Sequence, residues 1–233
     1  MNRYAWISAL VGLVLLGGSC GPAPSHTTES DPSGDPIPGA DLAKCGVVLE
    51  RGPADAWDGG MVESPVVWYD SSRGRYGMVY TGYNLRHPEK QGYAAVGHPQ
   101  VGLAWSDDLF QWHKDPRNPV FGPSKQPGAP DEAGTAGPFV WQEEGTYYLF
   151  YFGTTTAGYE GGRKSMNVAT ATNLVDWTRY DGNPIIEPQG NGWRRDAIWH
   201  PHVRKVEGTY YLFFNASGVV EGQAEEYIGY ATS

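Results

Sequence analysis

Cysteine is almost absent from this 233-residue chain, which has two. Two thiols make neither a disulfide framework nor a four-cysteine zinc site. Positive charge is scarce as well, with 17 Lys and Arg against 26 Asp and Glu and a formal net charge of -9. Without a basic cluster nothing neutralises a phosphate backbone, so nucleic acid is excluded as a partner. Long apolar runs are missing too. The longest, Ala5 to Leu16, is about a dozen residues, whereas a helix needs about 20 to cross a bilayer. What the chain has instead is 32 Gly and 18 Pro, with 9 Trp, 15 Tyr and 7 Phe. That composition points to short strands and tight turns, with aromatic rings to spare for stacking.

The first residues read as a targeting segment. Arg3 supplies the positive end, the apolar run follows, and Leu16-Gly-Gly-Ser-Cys20 closes it. Small residues directly before a cysteine resemble the bacterial lipobox, although Gly17 stands where such boxes usually carry Leu. The resemblance implies that Cys20 is lipidated and becomes the mature N-terminus, leaving Cys45 without a partner in the chain. Residues 1–19 are therefore expected to be a lipoprotein signal peptide. Residues 20–44, rich in Pro, Ser, Gly and Asp and without apolar periodicity, read as a flexible tether. The expected location is the bacterial cell envelope, lipid-anchored or secreted, with membrane contact only through the lipid on Cys20.

From residue 45 to 233 the sequence repeats itself. Glu63-Ser-Pro-Val-Val-Trp68 precedes Arg75-Tyr-Gly-Met-Val-Tyr80. Ala136-Gly-Pro-Phe-Val-Trp141 precedes Gly145-Thr-Tyr-Tyr-Leu-Phe-Tyr151, and Trp199-His-Pro-His-Val-Arg204 precedes Gly208-Thr-Tyr-Tyr-Leu-Phe-Phe214. A third run follows in each unit, at Val101–Ser106, Met166–Ala171 and Ile228–Ser233. The first two units add a Leu-x-x-Trp landmark (Leu109 to Trp112, Leu174 to Trp177) and an Asn-Pro landmark (Asn118-Pro119, Asn183-Pro184). Each unit reads as a strand started by proline, a glycine turn, an aromatic strand, a third strand and an edge strand near the Trp. Four antiparallel strands per roughly 65 residues is what a β-propeller blade requires. The expected fold class is all-β, with blades over about residues 57–122, 130–188 and 193–233.

These units resemble the five-bladed β-propeller of furanosidase-type glycoside hydrolases, the superfamily that includes families 43, 32, 68 and 130. The similarity covers Trp57 to Ser233. Blade 3 stops at Tyr230-Ala-Thr-Ser233, where the second unit continues into Asn173-Leu-Val-Asp-Trp177. About three of five blades are present, so a truncated N-terminal part of a longer protein is expected, with an unclosed ring exposing blade faces.

The innermost strands of a propeller converge on one mouth, so residues just before Pro65, Pro138 and Pro201 are expected to meet there. Glycoside cleavage needs two carboxyls, one protonated as acid and one ionised as base or nucleophile. The resemblance implies a carboxylate from each of three successive innermost strands, and the match is partial. Glu63, Asp196 and Asp58 are the candidate catalytic groups. Blade 2 offers Asp131 and Glu132 upstream, which read better as turn formers or solvated charges, and has no carboxylate in Ala136-Gly137-Pro138. Trp57, Arg195, Trp199, His200 and His202 are candidate substrate contacts. The two histidines flank Pro201 and are expected on one strand face, but two are too few for zinc. No cofactor is expected, with a structural metal ion at the channel left open. The partner implied is a carbohydrate and the activity hydrolysis of a glycosidic bond. The alternatives are a non-catalytic glycan-binding propeller or inactive remnant, and a phosphorylase, which would need a cationic pocket around a pair such as Arg194-Arg195.

Overall fold

The computed structural model describes residues 46–233; the expected signal peptide and tether, with Cys20 and Cys45, lie outside the described residues. Blade 1 consists of β1 (Met61–Asp70), β2 (Arg75–Leu85), β3 (Val96–Ser106) and β4 (His113–Lys114), antiparallel in that order. Blade 2 repeats the pattern with β5 (Gly134–Glu143), β6 (Thr146–Thr154), β7 (Lys164–Ala171) and β8 (Thr178–Arg179). In blade 3, β9 (Ala197–Val206), β10 (Thr209–Val220) and β11 (Gln223–Thr232) pair in sequence order. The innermost strands touch in succession, β1 against β5 and β5 against β9. The architecture is an all-β propeller, and no α-helix occurs among the described residues.

The repeated prolines do not start strands, as the sequence suggested. Each innermost strand begins several residues earlier, and its proline sits at a register slip: between Glu63 and Val66, between Ala136 and Phe139, and opposite Phe213 to Asn215 in blade 3. The residue before each proline takes a left-handed φ, Ser64 at 51°, Gly137 at 54° and His200 at 51°. A bulge leaves one residue out of the ladder, and proline, having no N–H to donate, tolerates that place. Gly137 has a further reason to lack a side chain, because a Cβ there would lie 2.6 Å from Phe152 Cε1. Its N–H donates to Thr81 Oγ1 of blade 1 at 2.9 Å, so the bulge itself joins two blades.

The Leu-x-x-Trp landmark is a clamped loop that leads into the edge strand expected beside its Trp. Leu109 and Leu174 adopt φ of 67° and 68°, and their carbonyls accept the indole N–H of Trp112 at 2.8 Å and Trp177 at 3.0 Å. The edge strands β4 and β8 follow directly, two residues each. The Asn-Pro landmark serves the neighbouring strand. Asn118 accepts from Leu103 N–H and donates to Leu103 O, both at 2.8 Å, and Asn183 repeats this on Val168 at 2.9 Å. An amide side chain thus supplies the hydrogen bonds a further strand would have made.

Apolar faces pack between blades. The seam of blades 1 and 2 buries Val79, Leu103, Phe121, Leu149 and Tyr151, with Leu174, Val175 and Trp177 folded over it. The seam of blades 2 and 3 holds an apolar cleft of about 480 Å³ between Trp141, Phe150, Val168, Val203 and Leu212.

Candidate active site

The start of β1 and the β2–β3 connection lie at one end of blade 1; the Gly158 N–H to Gly97 O bond brings the β6–β7 connection there, and the Lys164 to Ala197 pairing adds the start of β9 beside the β10–β11 hairpin. The residues that meet there were only partly legible in the sequence. Glu63, half-buried at the start of β1, accepts a hydrogen bond from the Tyr83 hydroxyl at 3.2 Å, with the Tyr159 phenol close by. Burial pushes its pKa up, the two phenols pull against that, and the charge of Glu160 adds to the rise. Glu160 is the second carboxyl of the site. Its own pKa is raised by burial first, opposed by Lys164 and reinforced by Glu226.

The loop that delivers Glu160 is held by specific contacts. Gly158 N–H donates to Gly97 O at 3.0 Å, tying the β6–β7 connection to blade 1. Arg163 N–H donates to Thr155 Oγ1 at 3.0 Å and closes the loop on itself. Lys164 Nζ donates to Glu160 O at 3.1 Å, lies 4.0 Å from Glu160 Oε2 and sits 5.8 Å from the centre of the Trp199 ring. Glu160 takes a φ of 45°, a strained setting for a residue with a Cβ. Three tyrosines run outward from Glu63. Tyr83 is fully buried, Tyr159 is intermediate and 5.8 Å from it, and Tyr93 stacks on Tyr159 at 4.1 Å while 62% exposed.

The other sequence candidates fall elsewhere. Asp58 is 2% exposed inside blade 1, where it accepts from Lys114 Nζ at 2.6 Å and lies 3.4 Å from the Tyr80 hydroxyl. A carboxylate paired and enclosed in this way holds Lys114 and Tyr80 inside blade 1, away from Glu63. Its partner ring Trp57 packs on Tyr80 in the same cluster rather than at the mouth. Asp131 repeats Asp58 in blade 2, accepting from Tyr151 at 3.0 Å and Arg179 Nε at 2.7 Å, while Glu132 accepts the Gly128 N–H as a turn former. Blade 3 has Arg194 and Phe214 at the aligned places, and Trp193 stacks on Phe214 instead.

Asp196 and Arg195 form an exposed ion pair at 2.6 Å, which holds the Asp196 carboxyl below its usual range. Among the described residues Asp196 makes no contact with Glu63; the carboxyl whose charge acts on Glu63 is Glu160. Trp199 is buried and reaches the site only through Lys164. His200 and His202 do not act as one pair. The register slip between them puts Trp199 opposite Asn215 and His202 opposite Phe213, so alternation through Pro201 fails. His200 packs on Phe152 at 5.8 Å and His202 on Phe139 at 4.8 Å. Burial lowers both imidazole pKa values, with Glu226 opposing this at His200. Among the described residues no group of three His, Cys, Asp or Glu is arranged to hold a metal ion.

No protein-family model and no curated protein matches the chain. Solved structures do. One is a glycoside hydrolase, 25% identical with a TM-score of 0.60, matched over 79% of this chain and 50% of that one. A complex of BT0996 with RGII is also 25% identical, with a TM-score of 0.58 over 76% of this chain and 47% of the other. Zg3597, a family 117 glycoside hydrolase of the marine bacterium Zobellia galactanivorans, gives a TM-score of 0.61 at 16% identity, over 79% and 55%. The chain spans about half the length of these structures. Its blades have the fold of propeller-type glycoside hydrolases.

Proposed function

We propose that this chain carries the bond-cleaving site of a propeller glycoside hydrolase acting on an oligosaccharide or polysaccharide. The observation that supports this most is the Glu63 and Glu160 pair, two carboxyls from different blades that burial raises above their ordinary pKa. Glu63 accepts from the Tyr83 hydroxyl, which opposes that rise and suits a base or nucleophile. Glu160 is raised by burial first, with Lys164 opposing and Glu226 reinforcing, and a carboxyl held protonated by burial suits the acid that donates to the leaving oxygen. Reducing-sugar release from arabinan, xylan, fructan and mannan fragments tests the activity; no release from any of them overturns it.

The assignment of roles has its own test in the pH dependence of kcat/KM. Glu226→Gln removes a negative charge that holds the Glu160 proton, so Glu160 ionises at lower pH and the high-pH limb is expected to move down. Lys164→Met removes a positive charge that favours ionised Glu160, so the same limb is expected to move up. Immobility of the limb in both variants refutes Glu160 as the acid.

A second reading, glycan binding without cleavage, is favoured by one observation. Ala136 and Trp199 occupy the places aligned with Glu63 in blades 2 and 3, so a carboxylate does not recur. Binding without product release selects it. Phosphorolysis ranks below both, because Arg194 is engaged by Gln189 and Arg195 by Asp196, and neither contacts the Glu63 and Glu160 pair. For the location we keep the lipid anchor as the proposal: Cys20→Ala is expected to release the protein from membranes, and retention after a high-salt wash contradicts it.

A further inference from the structure

Tyr93 is a large ring that stands 62% exposed. It lies in a single 3-10 turn, Gly92–Ala95, within the β2–β3 connection of blade 1. One face is covered by Tyr159, with ring centres 4.1 Å apart and planes 29° from parallel. With one face stacked and the residue still 62% exposed, the other face is open. The stack fixes its orientation, so little freedom remains to be lost when a second flat surface docks on it. Tyr159 in turn lies against the Tyr83 ring, whose hydroxyl donates to Glu63, and so links the exposed ring to the carboxyl pair.

From this geometry we infer that Tyr93 is a stacking platform for a sugar ring, making the site one for a chain of at least two sugar units. A pyranose or furanose ring presents a face of C–H groups that packs on an aromatic ring, while its hydroxyls remain in water at the edge. One unit occupies the Glu63 and Glu160 position and a neighbouring unit lies over Tyr93. The inference rests on the site proposed above as a sugar site, but it needs binding and not cleavage.

Calorimetric titration with arabinotriose, xylotriose, kestose and mannotriose, and with the monosaccharide of whichever binds best, separates the two. Tyr93→Ala is expected to weaken trisaccharide binding about tenfold or more and to leave monosaccharide binding within about twofold. Tyr93→Phe keeps the ring and is expected to bind like the wild type. Equal weakening for monosaccharide and trisaccharide means that Tyr93 acts only by supporting Tyr159 and overturns the platform. So does unaltered trisaccharide binding by Tyr93→Ala, or failure of the wild type to bind any of the four. Trisaccharide binding that depends on Tyr93 without any cleavage leaves the platform standing and removes the hydrolase reading. Cleavage with an unchanged KM for oligosaccharides in Tyr93→Ala does the reverse.

Discussion

Glu63→Gln and Glu160→Gln are each expected to lower turnover at least about 100-fold, the usual scale for a positioned acid or base. Glutamine keeps the volume and one accepting oxygen, so the Tyr83 hydroxyl retains a partner at the Glu63 position. Neither carboxyl completes a close buried ion pair, since Lys164 stands 4.0 Å from Glu160. The unfolding temperature is therefore expected to stay near that of the wild type while the rate falls. Two controls calibrate the result. Glu144→Gln, on the exposed Glu143-Glu144-Gly145 turn, is expected to do almost nothing. Asp196→Asn, which loses only a surface pair with Arg195, is expected to stay within a few-fold of normal. Near-normal turnover in both glutamine variants removes the pair from the chemistry. A large loss in Asp196→Asn restores the group that the sequence favoured.

The difference between those two expectations shows what a repeat does and does not encode. Pro65, Pro138 and Pro201 marked the innermost strands because a bulge beside the axis needs a residue that makes no ladder bond. The Asn-Pro and Leu-x-x-Trp landmarks marked the outer part of each blade because a side-chain clamp and an indole clamp need those residue types. All three signals are local, so a sequence carries them openly. Asp58 stands on a Gly-rich segment beside a Trp, and the sequence does not show that Lys114, far along the chain, folds back onto it. Glu160 is hidden for the converse reason. In Gly158-Tyr-Glu-Gly-Gly162 it reads as a turn residue, and the role proposed for it depends on a tertiary hydrogen bond from Gly158 to Gly97 that carries the loop across to blade 1. The one available hint was a Tyr-Glu pair in the β6–β7 connection, at the end of the blade where the mouth opens.

Asp131→Ala is expected to destabilise the propeller by about 2–4 kcal/mol, the largest single effect outside the site. Asp131 is 2% exposed and is the shared acceptor of Tyr151 and Arg179. Arg179 also donates to Gly122 O and lies 4.3 Å from the centre of the Phe121 ring, so this hub pins the edge strand of blade 2 to the segment leaving blade 1. Removing the carboxylate strands a fully buried phenol and a guanidinium that is about one-third exposed. The exposed part of Arg179 keeps the cost below that of a wholly enclosed pair. Asp58→Ala, the equivalent change in blade 1, is expected to cost less, because the Tyr80 contact is 3.4 Å against 3.0 Å for Tyr151 at Asp131. Denaturant unfolding of Asp131→Ala, Arg179→Leu and the double variant checks this as a cycle. The double variant is expected to be more stable than the sum of the single losses, because the second change removes the charge that the first left unpaired. Additive losses, or an Asp131→Ala cost under about 0.5 kcal/mol, mean that the hub is an incidental contact between blades 1 and 2.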